Sequence, residues 1–106
     1  MQTYLPALTL GFLILSASAG AEEKPIVIQN YTFSPEKLTV VAGTKVTWVN
    51  HDQVPDTVVE KDKQFHSSAL DTDDRYSFTF NTPGVYQYFC TLHPTMTGTI
   101  TVTPGK

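Results

Sequence analysis

The sequence predicts an all-β domain, either a small sandwich or a barrel, on three observations. Short runs of β-branched and aromatic residues recur along the chain, clusters of turn-forming residues separate them, and no stretch shows a helical period. A length of 106 residues allows one domain. A single Cys excludes an internal disulfide framework, so the fold must depend on its hydrophobic core.

Seven runs are predicted as strands, and one of them alternates clearly with period two. In the run 76–80, the aromatic residues Tyr76, Phe78 and Phe80 alternate with Ser77 and Thr79. Together with Trp48 and the Val and Ile residues, Phe78 and Phe80 are predicted to form the core, whereas Tyr31 and Phe33 are expected to cap one end of the sandwich. The predicted strands are residues 26–28, 38–41, 46–49, 57–59, 76–80, 85–89 and 99–103, with turns at 42–44, 71–74 and 81–84.

The first 21 residues have the order of an export signal. They carry no charged side chain, are mostly apolar from Leu5 to Leu15, and end in small residues with an A-x-A-like pattern. A membrane anchor is the alternative, but the apolar run is shorter than the ~20 residues that a span needs. We therefore expect a secretory signal peptide over residues 1–21, a domain over residues 22–106, a periplasmic or secreted location, and no stable membrane insertion after cleavage.

The charge balance restricts the class of partner. Seven Lys and Arg against ten Asp and Glu give a net charge of −3, which indicates a mildly acidic surface. Nucleic acid is not an expected partner, because phosphate binding needs a basic face.

The residues that carry chemistry are concentrated in a seven-residue segment with the pattern C-x2-H-x2-M. Cys90, His93 and Met96 follow an aromatic predicted strand, and Pro94 stiffens the turn behind the histidine. Taken singly, each has an ordinary structural interpretation: Cys90 as a small buried residue, His93 as a loop residue and Met96 as an apolar side chain that fills space in the core. Soft sulfur ligands with an imidazole suit copper, and a weak axial Met is characteristic of trigonal electron-transfer copper sites. The segment therefore predicts a site for one copper ion, which would also protect a lone exported Cys from oxidation.

Three segments, residues 30–35, 43–50 and 90–96, resemble the cupredoxins, and most of all the short periplasmic proteins of the plastocyanin and amicyanin type. The resemblance covers essentially the whole of residues 22–106. It implies a Greek-key β-sandwich with copper at one end, bound by Cys90, His93 and Met96. It also implies one-electron transfer between redox partner proteins by a monomer, with Leu92 and Pro94 forming a small apolar docking surface beside His93.

One position departs from the cupredoxin pattern. Where the family takes its first histidine ligand, in a Pro-His motif, this chain reads Pro55-Asp56. Asp56 is expected to be the fourth copper donor, a hard anionic oxygen that favours Cu(II) and lowers the reduction potential relative to histidine. The alternative is that Asp56 is an ordinary loop carboxylate.

Neighbouring residues offer further donors to this site. His51 and His66 lie in the flanking loops and could replace the missing imidazole, although a solvent-exposed histidine needs no function. Asn50 could brace the loop that carries Asp56. The backbone N–H of Thr57 could donate to the Cys90 sulfur, and such donors tune the potential of a copper site.

The predicted function is one-electron transfer by a mononuclear copper site. The alternative is a module that buffers or delivers copper without fast electron transfer, which the substitution of Asp56 for histidine favours. A copper enzyme is not expected, because it would require a second, histidine-rich copper site and the chain has three histidines.

Overall fold

Two four-stranded sheets are formed by residues 22–105, the part of the chain that the computed structural model describes. The predicted signal segment, residues 1–21, lies outside the described residues. Within those residues, no helix is long and apolar enough to cross a membrane. The strands are β1 (Glu23–Gln29), β2 (Thr32–Ser34), β3 (Lys37–Val41), β4 (Thr44–Asn50), β5 (Val59–Glu60), β6 (Arg75–Phe80), β7 (Gly84–Phe89) and β8 (Thr97–Thr103).

The sheets have the strand orders β2-β1-β4-β6 and β3-β8-β7-β5. Strand β1 runs parallel to β4, strand β3 runs parallel to β8, and the remaining neighbours are antiparallel. From β2 to β7, each successive strand lies in the other sheet. These crossing connections confirm the predicted all-β Greek-key sandwich.

The core lies between the sheets and is centred on Trp48, which is fully buried. Its ring contacts the rings of Phe80 and Tyr88 at centroid distances of 6.5 and 5.4 Å. Phe80 is buried as predicted, and Phe78 is partly buried and packs against the same cluster. Phe33 is also a member of this core, and its expected position at one end of the sandwich stays a prediction.

Two elements differ from the sequence-based expectation. Strand β2 was not predicted, and of the predicted strand 57–59 only Val59 lies in a strand. The backbone N–H of Thr57 donates to Sγ of Cys90 and that of Val58 donates to Oγ of Ser67. Because these two amides are already bonded to side chains, they are not available to pair with a neighbouring strand.

Candidate metal centre

The segment between β7 and β8 forms a closed loop at one end of the sandwich. The last residue of β7, Phe89, pairs with the first residue of β8, Thr97, so residues 90–96 begin and end side by side. Within the loop, the amide of His93 donates to the carbonyl of Cys90 at 3.2 Å, and the amide of Met96 donates to that of His93 at 2.9 Å. The Cys90 amide in turn donates to the Met96 carbonyl at 3.1 Å, which closes the loop.

Asp56 reaches this loop from the connection between β4 and β5. Its backbone exchanges two hydrogen bonds with Leu70, with N–O distances of 3.1 and 2.7 Å. The side-chain amide of Asn50 donates to the carbonyls of Leu70 and Val54 at 2.8 and 3.0 Å. The predicted bracing role of Asn50 is therefore observed.

Three donor atoms converge at the point where the two loops meet. Oδ1 of Asp56 lies 3.0 Å from Nδ1 of His93 and 3.5 Å from Sγ of Cys90. The Cys90 sulfur lies 3.6 Å from the same His93 nitrogen. These distances match a group of atoms able to contact one ion, since all lie within 4.8 Å of one another.

The carboxylate of Asp56 is an unusual group to find at this position in a protein interior. The residue is 0% exposed, and its Oδ2 has no hydrogen-bond partner among residues 22–105. Burial raises the pKa of Asp56, and the hydrogen bonds with Cys90 and His93 only partly oppose this effect. A buried carboxylate is expensive unless it is paired or coordinates a metal. A cation held by Asp56, Cys90 and His93 would offset that cost, so the residues present fit a metal ion.

The environment of the Cys90 sulfur is supplied mainly by Thr57. The Thr57 amide donates to Sγ at 3.3 Å, as predicted, and its hydroxyl lies 3.8 Å from the same sulfur. The sequence gives no sign of a further contact, in which the Thr91 amide donates to the Thr57 hydroxyl at 2.8 Å. Thr57 thus joins the connection that carries Asp56 to the loop that carries Cys90.

The other predicted candidates fall into two groups. Met96 is buried in the core cluster together with Cys90, and its role as an axial donor remains a prediction. His51 and His66 are exposed. Neither belongs to the convergent group found among the described residues, so the geometry does not support them as replacements for the missing imidazole.

The contact between Tyr31 and His93 is not predicted from the sequence. Its ring packs against that of His93 with the centroids 4.8 Å apart and the planes at 81°. Tyr31 is 54% exposed, and this contact places it against the loop at one end of the sandwich. The only sequence signal for this contact is the turn-forming Asn30 that precedes it.

Comparison with known proteins agrees with this site and fold. Residues 4–102 match the family described as "Cupredoxin-like domain". The chain is 35% identical over 103 residues to amicyanin-alpha from Methylorubrum extorquens, an alignment that covers 91% of this chain and 85% of the relative.

Among solved structures, a novel purple cupredoxin from Nitrosopumilus maritimus superposes with a TM-score of 0.73 at 36% identity, covering 76% of this chain and 99% of that one. A copper-containing nitrite reductase from Thermus scotoductus superposes with a TM-score of 0.74 at 30% identity, covering 79% of this chain but only 23% of the enzyme. These matches confirm the resemblance drawn from residues 30–35, 43–50 and 90–96, and with it copper as the cofactor. The chain belongs to the family of cupredoxin-like domains, which are copper electron-transfer proteins.

Proposed function

We propose that this protein is a one-electron carrier in which Asp56, Cys90, His93 and Met96 hold a single copper ion. The observation that carries the proposal is the convergence of the Asp56 carboxylate, the Cys90 sulfur and the His93 ring nitrogen within 4.8 Å of one another. Asp56 is 34 positions from Cys90 in sequence, so only the assembled sandwich brings these donors together.

The donor set fits copper and predicts an unusual site. Thiolate and imidazole suit copper, whereas the Asp56 carboxylate is harder than the histidine found at this position in the family. Copper, when bound, supplies the exchange of one electron between Cu(I) and Cu(II). The anionic oxygen of Asp56 favours the more highly charged state, and the Thr57 amide, which donates to the Cys90 sulfur, opposes that preference by withdrawing charge from the thiolate.

The proposed site has a buried side and a solvent-exposed side. Asp56, Cys90 and Met96 are buried, whereas 30% of the His93 side chain is accessible. Beside it, Leu92 is 50% exposed and Pro94 is also exposed. We infer that redox partner proteins dock on Leu92 and Pro94 and exchange electrons through the edge of His93.

The setting of this activity follows from the sequence. The segment 1–21 is proposed to direct export and to be removed, which leaves a monomeric domain over residues 22–106 in the periplasm or outside the cell. Mass spectrometry of the protein purified from the periplasmic fraction would locate its first residue. A mature chain that retains residues 1–21 would contradict the export signal.

The first experiment compares the optical and EPR spectra of the copper-loaded protein with those of Asp56→His. If Asp56 is a ligand, the original protein gives an atypical copper–thiolate spectrum and the variant gives an ordinary blue-copper spectrum. His51→Ala and His66→Ala are matched controls, since both rings lie outside the convergent group, and neither should alter the spectrum. Identical spectra for the original protein and Asp56→His would remove Asp56 from the ligand set.

The second candidate function, copper buffering or delivery, is favoured by the carboxylate of Asp56, since a poorly matched donor set need not cycle quickly between oxidation states. Protein voltammetry separates the two functions. Reversible voltammetry with fast self-exchange supports the electron carrier, whereas copper bound in one oxidation state only supports the buffer.

A further inference from the structure

The ring of Tyr31 covers part of the most accessible side chain of the proposed site. It meets the His93 ring in a T-shaped arrangement at 4.8 Å, while Nδ1 of that histidine faces Asp56. We propose that Tyr31 is a positioning residue that fixes the orientation of the His93 imidazole from the solvent side. This inference rests on the proposed function, in which His93 holds copper.

Tyr31 occupies a backbone position that tyrosine rarely adopts. Gln29 pairs with Thr32 across the β1–β2 hairpin, so Asn30 and Tyr31 form a two-residue turn. Both have positive φ angles, 56° and 57°, the pattern of a type I′ turn. Asn is favoured at the first position of such a turn and Gly at the second. A tyrosine at the second position costs backbone strain, and such strain concentrates at functional sites.

A buried carboxylate holds this strained turn in place. Asp52 accepts hydrogen bonds from the amides of Asn30 and Tyr31 at 2.6 and 3.1 Å through its two oxygens. Its own amide donates to Oδ1 of Asn50 at 2.8 Å, and its carbonyl accepts from the Thr72 hydroxyl at 2.6 Å. The Tyr31 ring is therefore attached to a fixed backbone.

The same network also positions Asp56. Asn50, which binds the Asp52 amide, donates to the carbonyl of Leu70, and Leu70 is the backbone partner of Asp56. His93 thus lies between two groups set by one hydrogen-bond network, with Asp56 at its Nδ1 atom and Tyr31 against its ring. Contacts on two sides restrict rotation of the imidazole, whereas Asp56 and Cys90 both meet the Nδ1 atom and leave the ring free to tilt about it.

The test separates a positioning role from a merely structural one by using three substitutions. Tyr31→Phe keeps the ring, Tyr31→Leu removes it but leaves the strained backbone, and Tyr31→Gly removes both the ring and the strain. A structural role predicts that thermal stability follows loss of the ring. A positioning role predicts that Tyr31→Gly is at least as stable as the original protein, although its His93 ring is no longer held in one orientation.

Two readouts are independent of electron transfer. In the copper-free protein, NMR should show ring-proton contacts between residue 31 and His93 in the original protein and Tyr31→Phe. In Tyr31→Leu and Tyr31→Gly, the contacts between the His93 ring and Cys90 should weaken, because the ring is no longer held in one orientation. In the copper-loaded protein, these two variants should release copper to a chelator about two- to tenfold faster, the range expected for loss of one aromatic pair. Val85→Ala, at an exposed position in β7, is the control for surface truncation.

The proposal is overturned if Tyr31→Leu and Tyr31→Gly keep the contacts between His93 and Cys90 and the copper release rate of the original protein. It is also overturned if Tyr31→Phe behaves like Tyr31→Leu, since the aromatic ring of residue 31 is then not what orients His93. Failure of every variant and of the original protein to bind copper would instead contradict the proposed function. The NMR contacts in the copper-free chain would still decide whether Tyr31 orients His93.

Discussion

Oδ1 of Asp56 lies 3.0 Å from Nδ1 of His93, although 37 positions separate the two residues in the chain. The carboxylate is fully buried, whereas 30% of the histidine side chain is accessible. This pair therefore joins the protein interior to its surface, with the Cys90 sulfur beside both partners. Substitutions at the buried end should therefore change the copper site itself, whereas substitutions near the exposed end should change its contact with partners.

Asp56→His should raise the reduction potential of the copper-loaded protein. The substitution replaces an anionic oxygen with a neutral nitrogen, which removes a preference for the more highly charged Cu(II). One unit charge at ~4 Å in a partly screened site corresponds to a shift on the order of 100 mV. Protein-film voltammetry measures the potential directly. Asp62→His, at an exposed turn, is the control, and equal shifts for both variants would show that Asp56 acts only through overall charge.

Thr57→Val should loosen the Cys90 loop. The hydroxyl of Thr57 accepts from the Thr91 amide at 2.8 Å and also pairs with the Thr91 hydroxyl at 2.8 Å. Its loss should therefore reduce the free energy of unfolding by about 1–2 kcal/mol, at about 1 kcal/mol for each hydrogen bond. Urea denaturation of the copper-free protein gives this quantity. Thr91→Ala keeps the Thr91 amide and should cost less. Equal losses in the two variants would show that the hydroxyl pair, which both substitutions remove, holds the loop and that the amide bond adds nothing.

Leu92→Glu should slow electron exchange without removing copper. Leu92 is 50% exposed beside His93 and is not among the donor residues. A charge placed in the proposed docking surface must be desolvated when a partner binds, which disfavours the encounter. NMR line broadening in mixtures of the oxidised and reduced protein measures electron self-exchange and tests this prediction. Val85→Glu adds the same charge at a residue that is 65% exposed on β7, and equal slowing in both variants would indicate a general charge effect instead.

Tyr76→Phe should make the protein less sensitive to alkaline pH. Burial raises the pKa of Tyr76 above its ordinary value of 10.0. Above pH 10 the unfolded chain loses this proton while the folded chain retains it, so the free energy of unfolding falls as the pH rises through the raised native pKa. Urea denaturation between pH 7 and 11 should show a smaller decline for Tyr76→Phe. Equal slopes above pH 10 would contradict the assignment.

The sequence predicts most of the sandwich because its strands carry local signals. The alternation in residues 76–80 appears in the structure as β6, with Tyr76, Phe78 and Phe80 toward the core side. Strand β2 is harder to predict because it has three residues, too few to show a period. The run 57–59 is misassigned because its amides donate to the side chains of Cys90 and Ser67.

The candidate site shows the same division between local and distant signals. Cys90, His93 and Met96 lie within seven residues, so their spacing alone predicts a metal centre. Asp56 is found because it stands at the position where the family has a histidine. Tyr31 is not predictable in this way, because its contact with His93 depends on two positive φ angles and on Asp52, 21 positions along the chain.

The parallel pairing of β3 with β8 matches Lys37 with Thr99, 62 positions later. Contacts this distant in sequence form slowly, since the chain must close a long loop before they contribute stability. The loop that carries Cys90 lies between β7 and β8, so its two ends come together only when β8 has paired with β7. The three donor atoms of the metal centre therefore meet only in a chain in which β7 and β8 have paired, and copper uptake reports that long-range assembly.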